Sequence, residues 1–277
     1  MDSSKPRGLA FYVLAAFFGL FVLFLYGPLI TIVILSFQGP DGGLTFPMNG
    51  VSLRWFRALF ERQAVGDFGG SFLRSFTLGV MVMGVTVVVS LLAGLAFRKK
   101  FRGSTVLFYL AVASLIVPSI LISLGIGLAF QVAGIRPAWY SSAFGAHLTW
   151  TLPFGLLIMF AVFNRFDGAY EEAARDLGAS PWQTFRYVVL PIILPSLVGV
   201  GLFGFTLSYD EFARTLMTSG TFNTLPLEIY GMTTNVTTPV LYALGTVTTT
   251  FSMLVIGVAL AAIAVLRRRA ARRLAGA

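Results

Sequence analysis

Charged residues are scarce in this 277-residue sequence, and cysteine is absent from it. Asp, Glu, Lys and Arg together make up 11% of the chain, whereas a typical soluble domain has about 25%. The lack of cysteine excludes a disulfide framework and a thiolate metal site, and the single histidine, His147, has no partner histidine. The sequence also lacks the G-x-x-x-x-G-K-[ST] phosphate-binding loop, so we expect the chain to bind no ATP itself.

Hydrophobic residues are abundant: they form 57% of the chain and give it a mean hydropathy of +0.85. This composition indicates an integral membrane protein. A helix needs about 20 apolar residues to cross the bilayer, and six runs of that order occur, at 9–37, 72–97, 106–131, 142–163, 191–213 and 241–266. Because the runs are continuous rather than alternating, we predict an all-α polytopic membrane protein with six transmembrane helices in a single domain, 1–277.

Positive charge predicts the orientation of these spans. One side of the membrane receives most of the basic residues: Lys5, Arg7, Arg98, Lys99, Lys100, Arg102, Arg165, Arg175, Arg186, Arg267, Arg268, Arg269, Arg272 and Arg273. The other side receives Arg54, Arg57, Arg62, Arg74, Arg136 and Arg214. The positive-inside rule therefore predicts that both termini are cytoplasmic.

The first run is too long for a signal peptide and is interpreted as a retained span. The short loop "RKKFRG" is interpreted as a topology anchor, and the net charge of +9 as contact with anionic lipid headgroups rather than nucleic acid.

The predicted inner loop 165–190 differs from the rest of the chain because it is unusually polar. Its sequence "EEAARDLGASPWQTFRYVVLP" begins at Glu171. Acidic residues in a first turn favour a helix, and Gly178 is placed to end that helix in the left-handed conformation. Ser180 then predicts an N-cap and Pro181 a first helical residue. We interpret this helix–glycine–helix unit as a docking surface; an ordinary interfacial loop remains the alternative.

The same stretch resembles the EAA loop of binding-protein-dependent ABC importer permeases. That pattern is E-A-A, three residues, G, nine residues and I-x-L-P. The chain matches it at Glu172, Ala173, Ala174, Gly178, Leu190 and Pro191, with Val188 where Ile is usual. The resemblance implies a type I ABC importer permease fold in a bacterial inner membrane. It also implies that the residues coupling the permease to an ATPase are Glu171, Glu172, Ala173, Ala174, Arg175, Asp176, Leu177, Gly178, Ala179, Ser180 and Pro181.

The implied partners are a second homologous permease subunit, two ATPase subunits that hold ATP and Mg, an extracytoplasmic substrate-binding protein and membrane lipids. The chain itself would be a translocation subunit with no catalytic residue, metal ligand or cofactor. A further stretch, "LSYDEFARTLMTSGTFNTLPLEIYGM" with "VTTPVLYALGT", resembles the second permease of spermidine/putrescine importers. It implies a polyamine or a related small cationic amine as the solute. Arg74 departs from the family, which often has Asn near this position.

Candidate residues for the solute pathway lie near the outer end of the fifth span. Asp210 and Glu211 would attract an amine, since ionisable groups at membrane depth are functional candidates. Asp210 and Arg214 are also spaced i,i+4, so an intrahelical ion pair is an alternative for that acid. Three aromatic residues could offer cation–π faces or serve as interface anchors: Tyr209, Tyr230 and Trp150.

Three alternative functions remain open at this point. The same importer class could carry another solute, such as a phosphonate, iron, thiosulfate or an amino acid. An ion-coupled secondary transporter would have broken helices near the midplane, and three prolines do interrupt apolar runs: Pro118, Pro153 and Pro195. An intramembrane enzyme would need a constellation of buried reactive groups, for which the sequence offers only Asp210, Glu211 and His147.

Overall fold

Helices are the dominant elements of the computed structural model, which describes residues 8–61, 66–99, 101–235 and 238–275. In chain order they are α1 (Leu9–Leu35), α2 (Arg54–Ala58), α3 (Phe68–Phe97), α4 (Ser104–Ala113), α5 (Ser119–Val132), α6 (Phe144–Asn164), α7 (Ala169–Asp176), α8 (Pro181–Thr184), α9 (Leu190–Tyr209), α10 (Leu225–Asn235) and α11 (Val240–Ala275). A π-helical turn, Trp139–Ala143, precedes α6, and another, Phe185–Val189, joins α8 to α9. The all-α prediction is confirmed.

Five continuous helical segments are long and apolar enough to cross a membrane. They are Leu9–Leu35, Phe68–Phe97, Trp139–Asn164, Pro181–Tyr209 and Val240–Val265. Each overlaps one of the six predicted spans. The predicted count of six continuous helices is not confirmed, because the remaining predicted span has a different structure.

That span, predicted over 106–131, is two helices rather than one. α4 and α5 contain 10 and 14 residues, and each is shorter than the roughly 20 residues that cross a bilayer. Pro118 lies at the start of α5, and a proline disfavours helical backbone at the residue before it. At the break, the Ser114 hydroxyl donates to the carbonyl of Thr149 on α6 at 2.7 Å, so the interruption is held by a side-chain hydrogen bond.

The fifth predicted span, 191–213, is displaced at both ends. Its helix begins at Pro181, because the π-helical turn makes α8 and α9 one continuous segment, and it ends at Tyr209. Pro191 lies within this segment, shortly after the π-helical turn, and does not end it. The loop 165–190 is therefore joined directly to a membrane-length helix.

The chain divides into two compact units. The first comprises residues 1–66 and 232–251. Within it, buried Gln38 binds the segment that follows α1: its Oε1 accepts the backbone N–H of Asn49 at 2.8 Å, and its carbonyl accepts the indole N–H of Trp55 at 2.8 Å. Tyr242 donates its hydroxyl to the carbonyl of Leu44 at 2.6 Å. The short helix α2, Arg54–Ala58, belongs to the same unit.

The second unit comprises residues 67–231 and 252–277, and its core is formed by α3, α6 and α9. A buried apolar cluster joins α6 to the Pro181–Tyr209 segment: Met159, Phe163, Val189, Ile193, Leu197 and Val200. α3 packs closely against α6 at Gly94, where a Cβ atom would lie 2.9 Å from both Met159 Cβ and the Phe163 ring. The absence of a side chain at this position lets the two backbones approach.

Candidate functional site

The loop 165–190 has the helix–glycine–helix structure that the sequence predicts. α7 ends with Leu177 as its C-cap, and Gly178 follows with φ +82°. The N–H of Gly178 donates to the Arg175 carbonyl at 2.8 Å, and the N–H of Ala179 donates to the Ala174 carbonyl at 3.0 Å. These two bonds form a Schellman motif, which satisfies the last carbonyls of a helix through a left-handed glycine.

α8 begins with the predicted cap. The Ser180 hydroxyl accepts the N–H of Gln183 at 3.3 Å, and the Gln183 side chain accepts the N–H of Ser180 at 2.8 Å. Pro181 occupies the first turn. Both the Ser180 cap and the Pro181 position are confirmed. The role of Gln183 was missed, although the S-x-x-Q spacing is a known signal of a capping box.

Most of the predicted coupling residues face outward. The exposed members are Glu172, Ala173, Arg175, Asp176, Leu177, Gly178, Ser180 and Pro181, whereas Glu171, Ala174 and Ala179 are half-buried. Leu177 is 90% exposed and Trp182 is 63% exposed. Two large apolar side chains at the bend of a charged loop form a surface suited to contact with another protein.

Glu171 differs from its neighbours because its carboxylate binds another helix of the protein. Arg98, the C-cap of α3, donates from Nη1 to Oε1 at 2.9 Å and from Nη2 to Oε2 at 2.8 Å. These hydrogen bonds hold the pKa of Glu171 below its usual value. The predicted anchor loop "RKKFRG" therefore also contacts the 165–190 loop. No local sequence signal links residues 73 positions apart.

The structure does not contain the ion pair with Arg214 that was the alternative interpretation of Asp210. α9 ends at Tyr209, Asp210 is its exposed C-cap, and the two residues do not share a helix. The Arg214 guanidinium instead donates to the Ser119 hydroxyl at 2.7 Å and to the Thr149 hydroxyl at 3.2 Å. Within the described ranges, no carboxylate lies within 4.0 Å of it.

Trp150 and Glu211 both lie beside Arg214, which is 2% exposed. The Arg214 guanidinium carbon is 4.7 Å from the centroid of the Trp150 ring, so this aromatic face is taken by the protein's own cation. The Glu211 carboxylate accepts the backbone N–H of Arg214 at 2.8 Å. The two predicted pathway residues therefore hold the loop after α9 in place.

The two candidate tyrosines lie apart from this cluster. Tyr209 is buried, stacks on Phe205 with centroids 5.7 Å apart and meets Phe72 edge-on at 6.2 Å. Tyr230 is exposed and packs against Phe212 at 5.1 Å. The structure thus brings Trp150 and Glu211 together around Arg214 but does not gather all five candidates into one site.

His147 of α6 is a further buried polar residue. It is fully buried, and its ring nitrogens are 2.8 Å from the Ser208 hydroxyl and 2.9 Å from the Thr215 hydroxyl. These bonds join α6 to α9 and to the loop that follows α9. Because both ring nitrogens have partners in the protein, we interpret His147 as a structural residue.

Comparison with known proteins identifies the family. Residues 86–275 match the family described as binding-protein-dependent transport system inner membrane component. The chain is 30% identical over 245 residues to the spermidine/putrescine transport system permease protein PotC of Haemophilus influenzae, covering 88% of this chain and 93% of that protein. It is 27% identical over 231 residues to the putrescine transport system permease protein PotI of Escherichia coli, covering 80% of each chain.

Solved structures show the same fold at lower sequence identity. An alginate ABC transporter aligns with a TM-score of 0.59 at 15% identity over 97% of this chain and 99% of that chain. The MetNI methionine ABC transporter, in an inward-facing conformation, aligns with a TM-score of 0.54 at 17% identity over 71% of this chain and 94% of that chain. The chain therefore belongs to the inner membrane components of binding-protein-dependent transport systems, and it is a permease subunit of an ABC importer.

Proposed function

We propose that the 165–190 loop is the cytoplasmic surface on which separate ATPase subunits act, and that the transported solute is a polyamine or a related small cationic amine. The observation that carries the first part is the exposed α7–Gly178–α8 bend, which displays the EAA-loop residues together with Leu177. The whole stretch from Glu171 to Pro181 is assigned the ATPase-coupling role, and within it the exposed residues are proposed as the docking contacts.

The proposed assembly contains this chain, a second homologous permease, two ATPase subunits that bind ATP and Mg, and an extracytoplasmic binding protein. ATP would draw the ATPase subunits together and displace the docked loop. The continuity of Pro181–Tyr209 supports this mechanism, because a displaced α8 would move the attached membrane helix with it. The helix bundle would then alternate between inward-facing and outward-facing states.

We further propose that α4 and α5 together make the third crossing of the membrane, which gives six crossings within one permease domain. Each helix is too short to cross alone, and they are joined by only five residues, 114–118. An even number of crossings agrees with basic residues at both ends of the chain, which the positive-inside rule places in the cytoplasm. At the break between them, the Ser114 hydroxyl is bonded to α6.

Support for the solute class comes from the permeases of spermidine and putrescine that the chain resembles. Asp210 adds an exposed carboxylate beside the end of α9. The test is ATP hydrolysis by the reconstituted complex with its binding protein, across polyamines, amino acids, phosphonates and metal chelates. Stimulation by polyamines is expected; stimulation confined to anionic solutes would contradict the assignment.

The docking role is tested by a substitution at Gly178. A second glycine of the chain has the same left-handed backbone and the same open surroundings, so it provides a matched control. Gly178→Trp should abolish binding of the ATPase subunits and uptake, since a bulky side chain would project from the docking surface. Gly103→Trp is the control: Gly103 has φ +85°, lies in the loop before α4 and, like Gly178, has no atom within 4 Å of the place a Cβ would occupy. Loss of ATPase co-purification only in Gly178→Trp supports the proposal, and equal retention in both variants contradicts it.

A further inference from the structure

We infer that Arg98 and Glu171 are positioning residues: their ion pair fixes α7 to the end of α3, so that a force applied to the docked loop reaches α3 as well as α9. This inference rests on the proposed docking role of the loop. It concerns a contact inside the permease, whereas the docking residues face outward.

The geometry of the pair is specific. Two parallel hydrogen bonds of 2.9 and 2.8 Å join the guanidinium to both carboxylate oxygens. The Arg98 side chain is 26% exposed and that of Glu171 is 15% exposed, so solvent screens the pair only partly. A bidentate contact fixes the orientation of the two groups as well as their separation, which a single hydrogen bond would not do.

Arg98 is held in turn by the core of α6. Its guanidinium carbon lies 5.1 Å from the ring centroid of Phe163 and 5.2 Å from that of Phe166. Phe163 is 8% exposed and belongs to the buried cluster shared with α9. One helical turn before Arg98, Gly94 packs directly on Met159 and Phe163. The arginine therefore projects from a part of α3 that cannot shift without moving α6.

α7, by contrast, lies at the surface of the protein. Every one of its residues is at least partly exposed, and glycines adjoin it on both sides, at Gly168 and Gly178. Its other charged contact, from Arg175 to Glu171 at 3.9 Å, lies within the same helix. In the part of the chain that the structure describes, the Arg98–Glu171 pair is the ion pair that ties α7 to a membrane-length helix.

The docking loop is covalently joined to α6 at its start and, through α8, to α9 at its end. The ion pair adds a connection to a further helix, α3. Breaking the pair should leave docking intact while α7 pivots about its flanking glycines. The measurable effect is a loss of uptake for each ATP hydrolysed, rather than a loss of ATPase binding.

The experiment compares Arg98→Gln, Glu171→Gln and the charge-swapped double variant R98E/E171R with the native complex in proteoliposomes. Arg102→Gln is the matched control, since Arg102 is an exposed arginine in the same short loop, four residues from Arg98. We expect both single variants to retain ATPase subunits and to lose about tenfold in uptake per ATP, in the range of allosteric coupling energies. The swapped variant should recover much of the loss.

Three results would overturn the inference. The single variants could show the same uptake per ATP as Arg102→Gln, or the swapped variant could show no more uptake per ATP than the single variants. The single variants could also lose ATPase binding, which would make Glu171 a docking contact. If the single variants do not accumulate, the swapped variant decides, because only a mutual ion pair predicts restored accumulation and uptake. A native chain that binds no ATPase would refute the docking proposal itself, which is a separate outcome.

Discussion

At the scale of the residue, Arg214 shows most clearly what sequence spacing cannot reveal. The i,i+4 spacing from Asp210 favours an intrahelical pair, but neither glycine nor proline marks the end of α9 at Tyr209. The true partners, Ser119 and Thr149, lie 95 and 65 positions away. A contact of that kind depends on how the helices pack, and one sequence does not contain that information.

Arg214→Met should destabilise the protein, because it removes two charge-assisted hydrogen bonds and leaves the Ser119 and Thr149 hydroxyls without this donor. Hydrogen bonds to charged groups contribute about 1.5–3 kcal/mol each, so a loss of about 3 kcal/mol is expected. The measurement is the thermal unfolding midpoint in detergent. Arg136→Met, at an exposed arginine, should leave the midpoint unchanged; equal midpoints for the two variants would refute a stabilising role for Arg214.

At the scale of the element, helix ends with local signals were predictable and helix continuity was not. Gly178, Ser180 and Pro181 affect only the few residues around them, and their predicted positions at the ends of α7 and α8 are confirmed. Pro118 was recognised as an interruption, yet the span around it was still predicted as one helix. Pro118 is a local signal for the break, whereas the bond from Ser114 to α6 is a tertiary contact.

Helix packing is testable at two glycines of α3. Gly94→Val should destabilise the protein by about 1–3 kcal/mol, the usual cost of overpacking a core, because its Cβ would lie 2.9 Å from Met159 and Phe163. Gly84→Val is the control in the same helix, since a Cβ there has no atom within 4 Å. Both unfolding midpoints are measured in detergent. A Gly84 variant as unstable as the Gly94 variant would show that valine in α3, rather than the contact with α6, is responsible.

At the scale of the whole molecule, the sequence indicated the family more surely than the architecture. A motif confined to 172–191 was sufficient to suggest an importer permease. The pair between Arg98 and Glu171 was not predictable from the sequence. Arg98 was explained as part of a topology anchor, and Glu171 as an acidic residue in the first turn of a helix. Only the folded structure shows that the two side chains meet.

The absence of cysteine from the native sequence makes docking of the 165–190 loop on an ATPase directly measurable. The Ala173→Cys variant would have one thiol in this chain, at an exposed position of α7. In membranes containing the complete complex, a thiol-directed cross-linker should join this residue to an ATPase subunit and should not join Val132→Cys, which is exposed at the end of α5. We expect a permease–ATPase product from the Ala173 variant alone. The docking role would be contradicted if the thiol of the Ala173→Cys variant reacted with a water-soluble reagent in the assembled complex and gave no product with an ATPase subunit.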